Sequence, residues 1–204
     1  MASAVVLTGC DLGGAYSSVP AELAAPGGAQ PLPATVPAAP GVTPTALRIP
    51  SIKVNASDWQ MVGVDKDQAI EVPSVKTPQK LGLYCPTWKA TKETCGAPIP
   101  GARGPAVVLG HVNGGGKNGV FAHLAEVKPG AVVELDRSDG KTVRFRVDRV
   151  QIIAKKAFPT KDVYSDTAGS ELRLVTCGPG ALETLPNGQR SYVQQTIVFA
   201  SLVT

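Results

Sequence analysis

The sequence predicts a mostly β fold, a small barrel of about eight strands with one or two short helices. Three observations carry this. Short runs alternate apolar and polar residues with a period of two, as in Val143, Phe145 and Val147 against Arg144, Arg146 and Asp148. Glycine (22) and proline (18) punctuate the chain often enough for many turns. Valine and threonine, which suit a pleated half-buried surface, are frequent.

Residues 47–204 hold this domain, and it begins near Leu47. Leu47–Val54 alternates as a strand, with Pro50 demoting it to an edge or a bend. Trp59–Val64 reads as a second strand, Asp65–Asp67 as a turn, and Leu81–Tyr84 as a short apolar strand. Ala106–Asn113 is a buried strand that ends in His111. The Gly114–Gly116 run after it lacks the Lys-Ser/Thr and the strand–helix frame of a phosphate loop. Asn118–Val127 has Val120, Phe121, Leu124 and Val127 on one helical face, which leaves His123 as a solvated surface residue. Ala131–Asp136 is a strand and Arg137–Gly140 a hairpin turn. The apolar phase slips by one between Val147 and Val150, which predicts a bulge near Asp148–Arg149. Phe158–Asp166 is a connection with one helical turn, Leu172–Cys177 a strand, and Gly178–Gln189 a loop. Val193–Val203 is apolar on both faces near Ile197–Ala200 and therefore central.

The flanking arm is of another kind. Residues 1–10 end in Leu-Thr-Gly-Cys10, which matches a bacterial lipobox, although the charged and long apolar regions of a signal are missing. Cys10 is thus either a lipid attachment site or an ordinary exposed cysteine. Residues 11–46 are more than half Pro, Ala and Gly, with Asp11 and Glu22 as the charges, and read as a disordered linker. No apolar run is long enough for a transmembrane helix. The net charge of +4 is not gathered into a basic block with interleaved aromatics, so nucleic acid is excluded as a partner.

The chemistry rests on few residues. Cys85 and Cys95 bracket a polar loop in a β-rich, exported-looking chain and read as a disulfide. Two free thiols or a metal pair are the alternatives, and the metal reading has no second Cys or His pair to complete four ligands. No cofactor or metal is called for. Cys177 is then left as the single free thiol. A thiol of ordinary acidity is mostly protonated at neutral pH and needs a nearby base and an oxyanion donor to act as a nucleophile. His111 and Cys177 both end strands, and strand ends can share one rim. Arg190 is the only arginine after Cys177. By themselves these residues fit equally a small buried cysteine and a structural histidine.

Leu47-Arg-Ile-Pro-Ser-Ile, Gly104-Pro-Ala-Val-Val-Leu-Gly-His-Val, Gly119-Val-Phe-Ala-His-Leu, Leu172-Arg-Leu-Val-Thr-Cys-Gly and Thr196-Ile-Val-Phe-Ala together resemble the sortases, cysteine transpeptidases of Gram-positive cell surfaces. The Thr-Cys-Gly form and the Ala/Pro-rich composition resemble class F, found in actinobacteria, more than class E. The resemblance implies an eight-stranded sortase-type barrel. It implies that Cys177 cleaves the Thr–Gly bond of a Leu-Pro-X-Thr-Gly-type sorting signal through a thioester. An amine on a cell-wall precursor or a protein then resolves that thioester. His111 would be the acid/base, and Arg190 the group that positions substrate and stabilises the oxyanion. Val175, Thr176 and Gly178 would line the site, with the loops Tyr84–Cys95 and Lys155–Ser165 bordering the peptide groove. Arg190 stands further from the Val-Phe-Ala element than the family's arginine usually does. Gln194 and Gln195 occupy the nearer places, and Arg173 is the fallback. The expected protein is an exported monomer, held to a membrane only by its N-terminal anchor. The alternative is a surface lipoprotein whose sortase-like barrel binds peptide or wall material without turnover.

Overall fold

The computed structural model describes residues 34–65, 70–86, 95–184, 188 and 190–203. The fold is mostly β, as the alternation predicts. Its main sheet contains β1 (Pro44–Ile49), β2 (Val54–Ala56), β3 (Trp59–Val62), β4 (Leu81–Tyr84) and β5 (Gly104–Leu109). Two hairpin strands, β6 (Asn113–Gly114) and β7 (Lys117–Asn118), pair only with each other. The main sheet continues through β8 (Val132–Arg137), β9 (Thr142–Ala154) and β10 (Ser170–Cys177). A second separate hairpin, β11 (Leu182–Thr184) and β12 (Arg190–Tyr192), precedes β13 (Gln194–Val203). The nine strands run in the order β2-β1-β8-β9-β13-β10-β5-β4-β3 and curl into a half-barrel.

Pro50 does more than bend its strand. It opens a 3-10 turn, Lys53 takes a left-handed conformation at φ 56°, and β2 folds back on β1 with Leu47 opposite Ala56. One alternating stretch therefore yields two antiparallel strands. The strand β13 lies between β9 and β10, so both of its edges are paired, and its two faces pack on different cores. Leu172, Leu174, Val198 and Ala200 face the main core with Phe121, Phe145 and Leu135, while Val175, Ile197 and Phe199 face a second core with Val107, Leu109 and Val163. The bulge falls where the phase slips. Phe199 pairs with Arg149 and Ala200 with Val147, which leaves Asp148 as the extra residue.

The expected helix over Asn118–Val127 is not formed. Asn118 belongs to β7, and only Leu124–Glu126 makes a 3-10 turn. The Phe121 N–H is donated to His111 O, and Leu124, Glu126 and Val127 each donate to the residue three places back. The i→i−4 ladder never starts. The apolar face is nevertheless correct: Val120, Phe121, Leu124 and Val127 are buried, and His123 is exposed and bonded to Glu126 at 2.7 Å. One short helix, α1 (Thr160–Tyr164), fills the expected connection.

The last part of the stretch read as linker belongs to the fold. β1 begins at Pro44, and Arg137, which is buried, donates to the carbonyls of Val36, Pro37 and Pro100. These three carbonyls can be buried here because one guanidinium supplies their donors. Residues 1–33, with Cys10, lie outside the described residues. Cys85 and Cys95 are joined with an S–S distance of 1.97 Å and Cα atoms 4.4 Å apart. Among the described residues no helix is long and apolar enough to cross a membrane.

Candidate active site

The site is set by a parallel pair. β10 runs beside β5 with Leu174 opposite Val108 and Val175 opposite Leu109, and Gly110 N donates to Val175 O. Two residues further on, His111 and Cys177 leave the sheet side by side, on the face that carries Val175 and Leu109. Neighbouring strands lie about 4.8 Å apart. Both residues line one cavity of about 200 Å³, together with Val72, Val75, Thr176, Arg190 and Tyr192.

His111 is held by its surroundings from two sides. Its carbonyl accepts from Phe121 N, and Gly119 packs so close that an added Cβ would lie 2.1 Å from that carbonyl oxygen. Its Nε2 lies 2.5 Å from Pro73 O. A carbonyl only accepts, so Nε2 carries the hydrogen and Nδ1 is the nitrogen able to take or give a proton.

Cys177 ends β10 opposite Gln195 of β13. The chain then turns away through Gly178, whose φ of +75° is a left-handed conformation that suits glycine. Gly178 N donates to Gln194 O, and Gly178 O accepts from Thr196 Oγ1 at 2.7 Å. The reading of Cys177 as the single free thiol is corrected here, because no cysteine among the described residues is free and Cys177 is disulfide-bonded. The nucleophile considered below is its reduced form.

Arg190 comes to the cavity on β12, which pairs with β11 through Thr184 opposite Arg190. The loop expected over 178–189 thus holds a strand, and the hairpin brings the arginine back towards the cysteine. Arg173, the fallback, is used elsewhere. It is buried, its guanidinium lies 4.7 Å over the Phe199 ring, and it bonds Glu171 and Asp162 O. It does not line the cavity. Val175 and Thr176 do, whereas Gly178 sits just behind Cys177 under the Tyr192 ring.

None of the described residues of the two loops expected to border the groove lines the cavity. Residues 87–94 lie outside the described residues. Tyr84 packs edge-on against Tyr164 at 5.3 Å, which is away from the cavity lining, and burial pushes both phenols up. The wall comes instead from Val72 and Val75, from Asn113, and from the β11/β12 hairpin with Leu182 and Tyr192. Asn113 Nδ2 donates to Tyr192 OH at 2.7 Å across this cavity. Val75 and Leu182 are exposed apolar residues. Sequence reasoning missed these residues, since nothing local distinguishes them from surface loop. Gln195 was noticed only as a place where an arginine was missing. It is fully buried beside Cys177, and neither atom of its amide has a hydrogen-bond partner.

A nucleophile, a proton carrier and a guanidinium around one cavity at a strand end suit acyl transfer. A family model of the sortase domain matches residues 47–203. Among solved structures, the chain is similar to sortase C-1 from Actinomyces oris, with 18% identity over 78% of this chain and 73% of that one, at a TM-score of 0.55. It is similar to sortase A from Corynebacterium diphtheriae, with 19% identity over 82% of this chain and 63% of that one, also at 0.55. The pilus-related sortase C of Group B Streptococcus gives 16% identity over 80% and 68%, at 0.52. At such identities the structural matches speak for the fold alone. No curated protein sequence matches the chain. The family model covers the sheet from Leu47 in β1 to Val203 in β13, including both strand ends at the cavity, and the chain belongs to the sortase family of cysteine transpeptidases.

Proposed function

We propose that this sortase cleaves the Thr–Gly bond of a Leu-Pro-X-Thr-Gly-type sorting signal, with Cys177 as nucleophile, His111 as acid/base and Arg190 as oxyanion and substrate donor. The observation that carries the reading is the convergence of these three side chains on one cavity. His111 takes the proton of the reduced Cys177 thiol, the sulfur attacks the threonine carbonyl carbon, and the carbonyl oxygen becomes an oxyanion. Arg190, always charged and rich in N–H donors, suits that oxygen. The carbonyl re-forms as the C–N bond breaks, and His111 gives its proton to the departing glycine amine. A thioester remains. An amine from a cell-wall precursor or another protein attacks it, His111 takes the amine proton, and Cys177 leaves as thiolate. Val175, Thr176 and Gly178 flank the bound carbonyl.

The Thr-Cys-Gly element supports a place in class F. The Ala/Pro/Gly-rich stretch 11–46 is the tether, its last residues joined to the fold, and residues 1–10 carry a lipobox in which Cys10 takes the lipid. The protein is an exported monomer at the outer face of the membrane. An oxidising exterior suits a Cys85–Cys95 disulfide that closes the loop between them.

The test is intact mass spectrometry of reduced protein mixed with a Leu-Pro-X-Thr-Gly peptide, with and without an added amine. An adduct on Cys177, lost in Cys177→Ala and transferred to the amine, is the expected result. No adduct and unchanged peptide would leave a non-catalytic peptide-binding barrel instead.

A further inference from the structure

Arg190 sits on a hairpin that the main sheet does not hold. β11 and β12 pair over three residues and form a sheet of their own. Isolated two-stranded hairpins are marginal in water, so the place of Arg190 depends on what ties β12 down. Two side-chain hydrogen bonds between described residues do this. One is Asn113 to Tyr192 on the exposed side. The other lies underneath, where Lys155 Nζ donates to Ser191 Oγ at 2.6 Å.

That second bond is unusual in its setting. Lys155 and Ser191 are each 3% exposed, and lysine is rarely buried to this degree unless it is paired. Lys155 begins the 3-10 turn Lys155–Ala157 that ends β9, and its N–H is donated to Val193 O. One residue thus grips the hairpin's return by backbone and by side chain. Ser191 lies between Arg190 and Tyr192, and all three residues border the cavity. Fixing Ser191 through Lys155 holds the three-residue strand that carries Arg190 and Tyr192 at the cavity.

We propose that Lys155 is a positioning residue of the transfer site, acting through Ser191 to hold Arg190 where the peptide carbonyl arrives. The inference rests on the sortase reading above. A misplacement of about 1 Å can cost on the order of a hundredfold in rate. Lys155→Met and Ser191→Ala should each lower kcat/KM for a fluorogenic Leu-Pro-X-Thr-Gly peptide by about tenfold to a hundredfold. Lys155→Arg, which keeps a donor, should recover part of the loss. In an Arg190→Ala background, Lys155→Met should change kcat/KM by less than about twofold, because the positioned group is already gone. A purely structural lysine would instead give additive losses. Additive losses, or unchanged kcat/KM in Ser191→Ala, would overturn the inference while leaving the transpeptidase reading intact. If reduced wild-type protein does not cleave the peptide, that reading fails by itself. Hydrogen exchange then decides the role of Lys155. Faster exchange at 190–192 in Lys155→Met and Ser191→Ala, with β10 and β13 unchanged, supports it, and equal exchange overturns it.

Discussion

Cys177 stands level with His111 because Val175 lies opposite Leu109 in the parallel pair β5/β10. In a parallel pair the residues of two strands advance in step, so two ends that leave the sheet together stay together. The nucleophile and the proton carrier are thus placed by sheet register, which rigid strands fix better than loops do.

This placement depends on two glycines. A Cβ at Gly119 would lie 2.1 Å from His111 O, and one at Gly110 would lie 2.6 Å from Phe121 and Val120 side-chain carbons. Gly119→Ala must push the His111 backbone, so it should cost about 1–3 kcal/mol and lower kcat more than KM. Urea unfolding with peptide kinetics checks both. Full activity in a stably folded Gly119→Ala protein would contradict the argument.

Asn113 and Tyr192 hydrogen-bond across the cavity they line. A peptide that enters between them has to part them. The bond is worth about 1 kcal/mol, so Tyr192→Phe should lower the peptide KM roughly fivefold. A KM that stays the same or rises would show that the bond does not oppose entry.

Acid stability should carry the mark of Asp136. The Arg48 guanidinium, which meets both its oxygens at 2.6 and 2.8 Å, and then the Thr142 hydroxyl lower its pKa from 3.8 to about 2. Glu134 is lowered in the same sense, by Arg144 first and Arg48 second. A carboxyl depressed in the folded state stabilises above its unfolded pKa and loses that contribution as pH falls through the folded value. Wild-type stability should therefore drop between about pH 4 and pH 2 more steeply than that of Asp136→Asn. Denaturant midpoints across that range give the comparison, and parallel curves would refute it.

Tyr164 keeps a hydroxyl that is buried without a hydrogen-bond partner, although its ring packs on Tyr84 and Phe158. Leaving such a group dry costs about 1–3 kcal/mol. Tyr164→Phe should raise stability by about 1 kcal/mol, read as a shift of about 2–4 °C in Tm. A clear loss of stability would mean that the hydroxyl has a role at this position.

The strands were legible where their signal is local. Val143–Val147 alternates, Arg137–Gly140 turns, and the one-residue slip marks Asp148, because pleat and turn chemistry depend only on neighbours in the chain. The helix over 118–127 was misread for the opposite reason. Its apolar spacing is real, but His111 O, from outside the segment, holds the Phe121 N–H, and Ala122, Leu124, Glu126 and Val127 donate three places back instead of four.

The sequence by itself determined that Cys177 and His111 end buried strands, that β13 is central, and that Arg190 is the only arginine after the cysteine. The tertiary structure decided that β5 and β10 run in parallel at one level, and that Pro73 fixes the His111 tautomer. It also decided that a hairpin pinned by Lys155 returns Arg190 to the cavity. Pleat and turn preferences are written within a few residues. Register, and the partners of a side chain dozens of residues away, exist only once the strands have paired.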